Sequence, residues 1–494
     1  MHIVVIGAGI VGLTTAWYLR QEGHRVTLVE RAPTVGMGAS HANGGQLSYR
    51  YVAPLADPDV LEKLPGWMLQ RDAPVRFRPR FDPQQWRWLL RFLKACNRHD
   101  KARSIASLLP LALHSRALTH ELVDTHGLAF DFVRNGKLVV HRDARSFEEA
   151  RRLLESAPEL TAAQQALDGE ACIALEPALA RLRGRIVGGI HTPAEDAGDC
   201  LKLCRALAAR MTGAPNPVKF AFGREVHGFA RSGSRITAVI TDAGAIDCEA
   251  RVLATGAAAS ALLRPLGVDV PIYPVKGYSI SVPIRAGANA PAISVTDFQR
   301  KVVYARLGSQ LRVAGMADIV GHDSRISRDR ITALLAETGN CFGDGFDFGA
   351  ATPWAGLRPA TPTGRPIIDR AGADNLWLNL GHGALGFTLA AGSAQLLADR
   401  IAGREPACPD EDFRVEAPSS RSRRSACTTV LQTPSSQPRS LRAPVAPSPS
   451  ARPRPAGSGC GRAAARSGPA RTPSSRAPAG SRPSAAGAAD GDRT

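Results

Sequence analysis

The sequence predicts an α/β fold in which a nucleotide-binding part is interleaved with a second, α+β part built on an antiparallel sheet. Three observations predict it. A glycine-rich strand-to-helix turn lies within the first thirty residues, β-rich segments crowd residues 272–316, and a second strand-turn-helix passage surrounds residue 381. Beyond residue 416 the composition changes and predicts a disordered C-terminal tail without a core.

The first run, Ile3, Val4, Val5 and Ile6, is β-branched and long enough for one buried strand. It breaks at Gly7-Ala8-Gly9-Ile10-Val11-Gly12, a GxGxxG at a strand end. Apolar residues at Leu13, Ala16, Trp17 and Leu19, with Thr14 and Thr15 between them, then follow a helical spacing until Gly23. A second apolar run, residues 26–29, closes in Glu30 and Arg31. Each piece has a physical task. Gly7 permits the tight turn, Gly9 lets backbone approach a pyrophosphate, and Gly12 lets helix and strand pack closely. The helix N-terminus offers unpaired N–H groups and partial positive charge to that pyrophosphate. Glu30 lies eighteen residues after Gly12, near the ~20-residue spacing of a ribose-binding acid. A glycine turn in an ordinary α/β protein would explain the helix and leave Glu30 unexplained, so the unit reads as Rossmann-like.

Residues 36–51 are rich in Gly and small polar residues and form a loop that brings Ser40, Asn43 and Gln46 to the same ligand. Residues 83–99 and 103–126 read as helices, 130–141 as two short strands joined at Asn135-Gly136, and 147–154 as a polar-faced helix. Asp199 is placed to cap a helix over 200–211, while His191 and Asp196 read as structural. Strand-like segments at 218–222, 235–241 and 246–254 follow, the last running into Thr255 and Gly256; this turn resembles the one that closes over the nucleotide in flavoproteins, which implies that these two residues and Val226 belong to the nucleotide site. Residues 272–282, 301–306 and 310–316 suggest the antiparallel sheet of a substrate domain. Pro353 to Pro359 opens a third block. Its strand, 375–380, ends in Gly381-His382-Gly383-Ala384-Leu385-Gly386-Phe387-Thr388 before a long helix whose N-terminus would stabilise negative charge. The expected division gives residues 1–75, 195–270 and 350–416 to nucleotide binding, 76–194 and 271–349 to the substrate domain, and 417–494 to the tail.

Charge is unevenly distributed over the 494 residues. The net charge is +18, but residues 417–494, with thirteen Arg, no Lys and two Asp, carry +11 of it. The remaining +7 gives the body no case for nucleic-acid binding, which leaves an Arg-rich tail as the one candidate for an anionic surface. The tail's Arg/Ala/Pro/Gly/Ser bias is also what a GC-rich reading frame yields when read past its end. Nine cysteines show no CxxC pair and no Cys/His array of zinc spacing, so no metal is expected and the thiols read as buried and reduced, fitting a cytoplasmic location. The apolar N-terminus reads as a strand rather than a signal peptide, and no run approaches the ~18 apolar residues of a membrane span.

With these motifs in order, the chain resembles the FAD-dependent D-amino-acid oxidase superfamily, and within it the flavin-bearing subunits of bacterial D-amino-acid dehydrogenases. The matching stretches are ASHANGGQ at 39–46, YPVKGYS at 273–279, VAGMADIVG at 313–321, GLRP at 356–359, GHGALGFT at 381–388 and PDEDFRVE at 409–416. The resemblance implies FAD held by the N-terminal unit, the 36–51 loop, Thr255 and Gly256, and by Gly381, His382, Gly383, Gly386 and Thr388. It implies oxidative deamination of a D-amino acid to a 2-oxo acid and ammonia, with hydride passing from substrate Cα to flavin N5 and electrons leaving to a quinone or respiratory acceptor, through peripheral membrane contact. It places the substrate carboxylate on Arg358, whose planar fork suits a carboxylate better than Lys, and a supporting hydroxyl on Tyr304, with Tyr278 and Lys276 as rivals. Only one dinucleotide fingerprint is present, so electrons enter from the substrate rather than from NAD(P)H. An O₂-using oxidase of glycine, sarcosine or another secondary amine is the alternative within the same chemistry.

Overall fold

In the computed structural model the N-terminal run folds as its pattern dictates. β1 (His2–Ile6), α1 (Ile10–Gln21) and β2 (Arg25–Glu30) form a parallel β-α-β unit, with Ile3 beside Val26 and Ile6 beside Val29. The structure describes residues 1–69, 73–156, 163–213 and 215–415. The tail expected from residue 417, and every reading of its charge, lies outside the described residues.

A two-residue β3 (Gln46–Leu47) follows, then α2 (Pro58–Leu69), β4 (Val75–Phe77), α3 (Pro83–Ala95) and α4 (Arg98–Asp124). The helix expected over 83–99 ends early and the next begins early, because Asn97 caps the second. Its side chain accepts from the Asp100 N–H at 2.9 Å, satisfying an amide that a continuous helix would have used. β5 (Lys137–His141) alone takes up the stretch expected to hold two strands. Asp131 has a left-handed φ of +53° and Val133 makes only an isolated bridge to Ala197, so no first strand forms.

Next come α5 (Ala144–Ser156), β6 (Gln165–Asp168), α6 (Gly169–Leu175), β7 (Gly188–Thr192), β8 (Asp196–Ala197) and α7 (Cys200–Thr212). Asp199 caps α7 by accepting from the Lys202 N–H at 3.0 Å. β9 (Lys219–Phe222) precedes a small antiparallel sheet of β10 (Val226–Ser232), β11 (Arg235–Thr241) and β12 (Gly244–Asp247). β13 (Ala250–Leu253) and α8 (Ala259–Leu263) lead into β14 (Tyr273–Pro283), β15 (Ser294–Asp297), β16 (Val302–Leu307), β17 (Gln310–Ile319) and α9 (Arg328–Phe342). β18 (Thr352–Ala360), β19 (Ile367–Arg370), β20 (Leu376–Leu380) and α10 (Gly386–Ala402) complete the order.

Two large sheets organise these elements. The first has the order β19-β20-β13-β1-β2-β9, parallel except for β19. Its central strands β1, β13 and β20 are mostly apolar, as burial on both faces requires; α1, α4, α7 and α10 share one core with it through Leu13, Leu111, Leu203 and Leu389. The second has nine strands, β18-β14-β17-β16-β15-β5-β7-β6 with β4 beside β17. One of its faces packs on α9, where Ile280 and Val313 meet Leu334 and Phe342.

The sheets divide the chain differently from the boundaries expected above. β18, expected with the nucleotide-binding part, is an edge strand of the nine-stranded sheet and pairs with β14 from Tyr273–Ala360 to Ser281–Thr352. α4, expected in the substrate part, lies on α10, held by Ser115, whose Oγ donates to the Thr388 carbonyl at 2.6 Å. Sequence position alone gave no sign of either, because each element is joined to its sheet by tertiary hydrogen bonds rather than by a neighbour in the chain.

Candidate functional site

The glycine turn is shaped for close approach. Gly7 has φ +106°, and a Cβ there would lie 2.6 Å from the Ala254 carbonyl oxygen. A Cβ on Gly12 would overlap the Gly7 carbonyl, so helix and strand touch there as the motif requires. Gly9 is open, with Ser40 Oγ 3.4 Å from an added Cβ as its sole neighbour. No side chain at its N-cap closes α1 and its first turn holds no acid, though Ser40 Oγ accepts from the Ile10 N–H at 3.0 Å. At the end of β2, Glu30 receives the Ala8 N–H at 2.7 Å and the Ala32 N–H at 2.9 Å, which fixes its carboxylate beside the turn.

A cavity of about 1340 Å³ begins at this turn and reaches the nine-stranded sheet. That exceeds the ~300–1,000 Å³ of a drug-sized ligand's pocket and suits a dinucleotide plus a small substrate. Two of its lining residues carry buried atoms without a partner, Thr255 Oγ1 and Asn379 Oδ1. Open glycine, oriented acid, uncapped helix and orphaned polar atoms together fit FAD.

Of the residues assigned to the cofactor, Ile6, Gly7, Gly9, Ile10 and Val11 line this cavity, as do Glu30, Arg31, Ser40, Asn43 and Gln46. Val226, Thr255, Gly256, Gly381, His382, Gly383, Gly386 and Thr388 line it too. The rest do not. Ile3, Val4 and Val5 are inside the sheet, and Leu13, Ala16 and Trp17 are inside the helical core. Thr14 Oγ1 donates to the Ala390 carbonyl at 3.0 Å, tying α1 to α10, and Thr15 Oγ1 receives Asn379 Nδ2 at 3.0 Å. Ala8 takes part only through its amide and Gly12 only through packing.

Several lining residues are fixed by the protein itself. Gln46 Nε2 donates to the carbonyls of Val295 (3.0 Å) and Tyr304 (3.2 Å), pinning the loop to the nine-stranded sheet. Asn43 Oδ1 closes a turn onto the Gly45 N–H. Arg31 is an exposed partner of Glu225 at 3.9 Å. His382 is buried against Ser393 Oγ at 3.0 Å, and burial pushes its pKa down to about 3, so the imidazole is neutral at physiological pH. Asn379 was missed, although a lone Asn in the run Leu-Trp-Leu-Asn-Leu is a legible signal.

At the far wall, the Arg358 guanidinium lies across Gly277 on the adjacent strand, where a Cβ would sit 2.5 Å from Cζ. Nη1 donates to the Met316 carbonyl at 2.8 Å, and among the described residues no carboxylate forms an ion pair with it. Burial lowers its pKa and the charge of Asp318 partly offsets that. A cation lining a cavity without a carboxylate of its own is poised for a carboxylate ligand.

Tyr304 does not join it. This side chain is buried on the other face of the sheet, edge-on to Phe342 at 5.0 Å with its hydroxyl 3.6 Å from Cys341 Sγ, while its neighbour Val303 lines the cavity. Of the two rivals, Tyr278 lines the cavity and donates its hydroxyl to Asp318 Oδ2 at 2.9 Å; Lys276 points to the Arg325 carbonyl instead. Among the described residues no group of three or more His, Cys, Asp or Glu could hold a metal ion, and no helix is long and apolar enough to cross a membrane.

A family model described as FAD dependent oxidoreductase (DAO) matches residues 2–400. The D-amino acid dehydrogenase 2 of Ralstonia nicotianae is 51% identical over 416 residues, covering 82% of this chain and 98% of that protein. The protein of the same name from Pseudomonas aeruginosa is 48% identical over 406 residues, 82% and 96% of the two chains. Among solved structures, glycine oxidase from Geobacillus kaustophilus superposes with a TM-score of 0.66 at 22% identity, covering 84% of this chain and 97% of that one. L-proline dehydrogenase from P. horikoshii gives 0.62 at 19% identity, with 84% and 96% covered. These two likenesses describe the fold.

Proposed function

The chain belongs to the DAO family of FAD-dependent oxidoreductases, and from that membership we infer that it is an FAD-dependent D-amino-acid dehydrogenase. Relatives carrying that name at 42–51% identity support the activity. The observation that carries the substrate end is Arg358, a cavity-lining guanidinium with which, among the described residues, no carboxylate forms an ion pair.

Bound FAD supplies the hydride acceptor for oxidation of the substrate Cα–N bond. The turn from Gly7 to Gly12 would hold its pyrophosphate, Glu30 its ribose, and the segment from Gly381 to Thr388 the ring end. Arg358 binds the substrate carboxylate through its fork, and Gly277 leaves the space in which that fork lies flat. His382 stays neutral and shares a hydrogen bond with Ser393 within the protein, so it takes no proton from the substrate near pH 7. The amine loses its proton to water before hydride leaves, and the imino acid hydrolyses in solution. Electrons go on to a quinone or respiratory carrier through peripheral contact with the membrane.

Anaerobic mixing of the purified yellow protein with D- and L-amino acids tests this. Flavin bleaching by D-amino acids such as D-alanine, and not by their L-enantiomers, is the expected result. Bleaching by L-amino acids, or by glycine and sarcosine alone, would refute it. Slow peroxide formation in air against fast dye reduction would support the dehydrogenase over an oxidase.

A further inference from the structure

The wall behind Arg358 contains a buried charge pair that the reaction itself does not require. Asp318, on β17, and Arg330, on α9, are both almost completely excluded from solvent. Arg330 Nη2 donates to Asp318 Oδ1 at 2.5 Å and Nε lies 3.4 Å from Oδ2, so the contact is two-pronged. Arg330 Nη1 donates to the Ala73 carbonyl at 2.6 Å, which locks the guanidinium in place. The Tyr278 hydroxyl takes a further site on Oδ2. Both Asp318 oxygens are therefore already engaged by donors other than Arg358.

The strand bearing Asp318 is irregular at the point nearest Arg358. Gly315 pairs with Tyr278 and Asp318 with Lys276, so Met316 and Ala317 together oppose Gly277 in a β-bulge. Met316 has φ +65°, a left-handed conformation that is uncommon for a residue with a side chain and concentrates at functional sites. This bulge sends the Met316 carbonyl to Arg358 Nη1 and leaves Asp318 two residues further along the same strand.

We propose that the Asp318–Arg330 pair is a positioning and charge-balancing device for Arg358: Arg330 saturates Asp318, so the Arg358 guanidinium stays on the Met316 carbonyl, unquenched, and open to a ligand carboxylate. The physical reason is the weakly screened interior. An unpaired buried carboxylate this close would draw Arg358 into its own ion pair, or repel the incoming carboxylate. Asp318 already acts on Arg358 electrostatically in the intact pair. The inference rests on the reading of Arg358 as the carboxylate anchor, and the experiment separates the two.

Propionate, which is D-alanine without its amine, is titrated into the holoenzyme and read by the change in flavin absorbance. In Arg330→Met, propionate binding should weaken by about 30-fold or more, as when one partner of a buried charge pair is removed. The KM for D-alanine should rise in parallel, and kcat should fall much less. The double variant Asp318→Asn with Arg330→Met should bind within about threefold of wild type, since no free charge remains. A purely structural pair would leave the double variant as impaired as the single one. Propionate affinity at the wild-type level in Arg330→Met, or a double variant no better than the single one, overturns the proposal. If Arg330→Met does not retain flavin, Asp318→Asn decides: propionate should bind at least as tightly as in wild type, and weakening of about tenfold or more would overturn it. Arg358→Ala supplies the control. Undiminished propionate binding there refutes the anchor itself, whereas loss there beside a wild-type-like Arg330→Met refutes only the charge-balancing role.

Discussion

A methyl group on Gly277 would sit 2.5 Å from Arg358 Cζ, so the guanidinium would have to shift from the place where its Nη1 reaches the Met316 carbonyl. Gly277→Ala should therefore act like a partial Arg358 mutant, raising the KM for D-amino acids while flavin stays bound. Unchanged KM would mean that the side chain is free to move. Arg358→Ala should cost about 2–5 kcal/mol in kcat/KM, the range for truncating one partner of a buried charge pair. Arg358→Lys should recover part of this, because an ammonium cannot make two parallel hydrogen bonds. Comparing a D-amino acid with its uncharged amide checks the pairing: equal losses on both would move Arg358 from binding to structure.

At the scale of elements, the crossing of α4 and α10 depends on Gly392. A Cβ there would lie 2.8 Å from the Leu111 carbonyl oxygen and 2.9 Å from Ser115 Cβ, and one of those is backbone. Gly392→Ala should destabilise by about 1–3 kcal/mol, the cost of overpacking, seen as a lower Tm. FAD should dissociate more readily too, because Ser115 holds the Thr388 carbonyl at the start of α10. The N-terminal β-α-β unit was legible in the sequence because a change of period, three glycines and one acid all point to the same turn. Tyr304 was not legible. β14 is buried along both faces and β16 at both Val303 and Tyr304 or nearly so, so alternation carries no sign of which face meets the cavity, and a one-residue offset reverses every side chain. The same ambiguity hid the bulge at Met316, which no residue type announces.

Across the whole molecule, two buried histidines link stability to pH. Burial pushes His382 down to about 3 and His141 down to about 4, from 6.5. Both are held neutral in the folded protein, so their contribution is complete above about pH 6.5 and is lost as pH falls toward those lower values. The loss should amount to a few kcal/mol on the order of magnitude set by ~1.4 kcal/mol per pKa unit. Urea midpoints at pH 7 and pH 5 test it: His141→Gln should show the smaller fall, and an identical fall would remove His141 from the account. Removing residues 417–494 should leave flavin content and turnover unchanged, since the family match ends at residue 400. A truncated protein that loses activity would give the tail a role in the enzyme.

The order of strands in the six-stranded sheet also sets a timetable for biosynthesis. β1 has β2 on one side within thirty residues, but its other neighbour, β13, begins at Ala250, and the partner of β13 begins at Leu376. A ribosome that has delivered 300 residues has therefore made the glycine turn and four of the sheet's six strands, but neither β19 nor β20. β13, buried at all four positions in the finished protein, then has an open edge of the kind that recruits foreign strands. The segment from Gly381 to Thr388 arrives later still. Stable flavin capture should thus follow translation rather than accompany it, and stalled chains ending before Leu376 should emerge colourless and dependent on chaperones, whereas chains extended past Ala402 and clear of the exit tunnel should turn yellow when FAD is added.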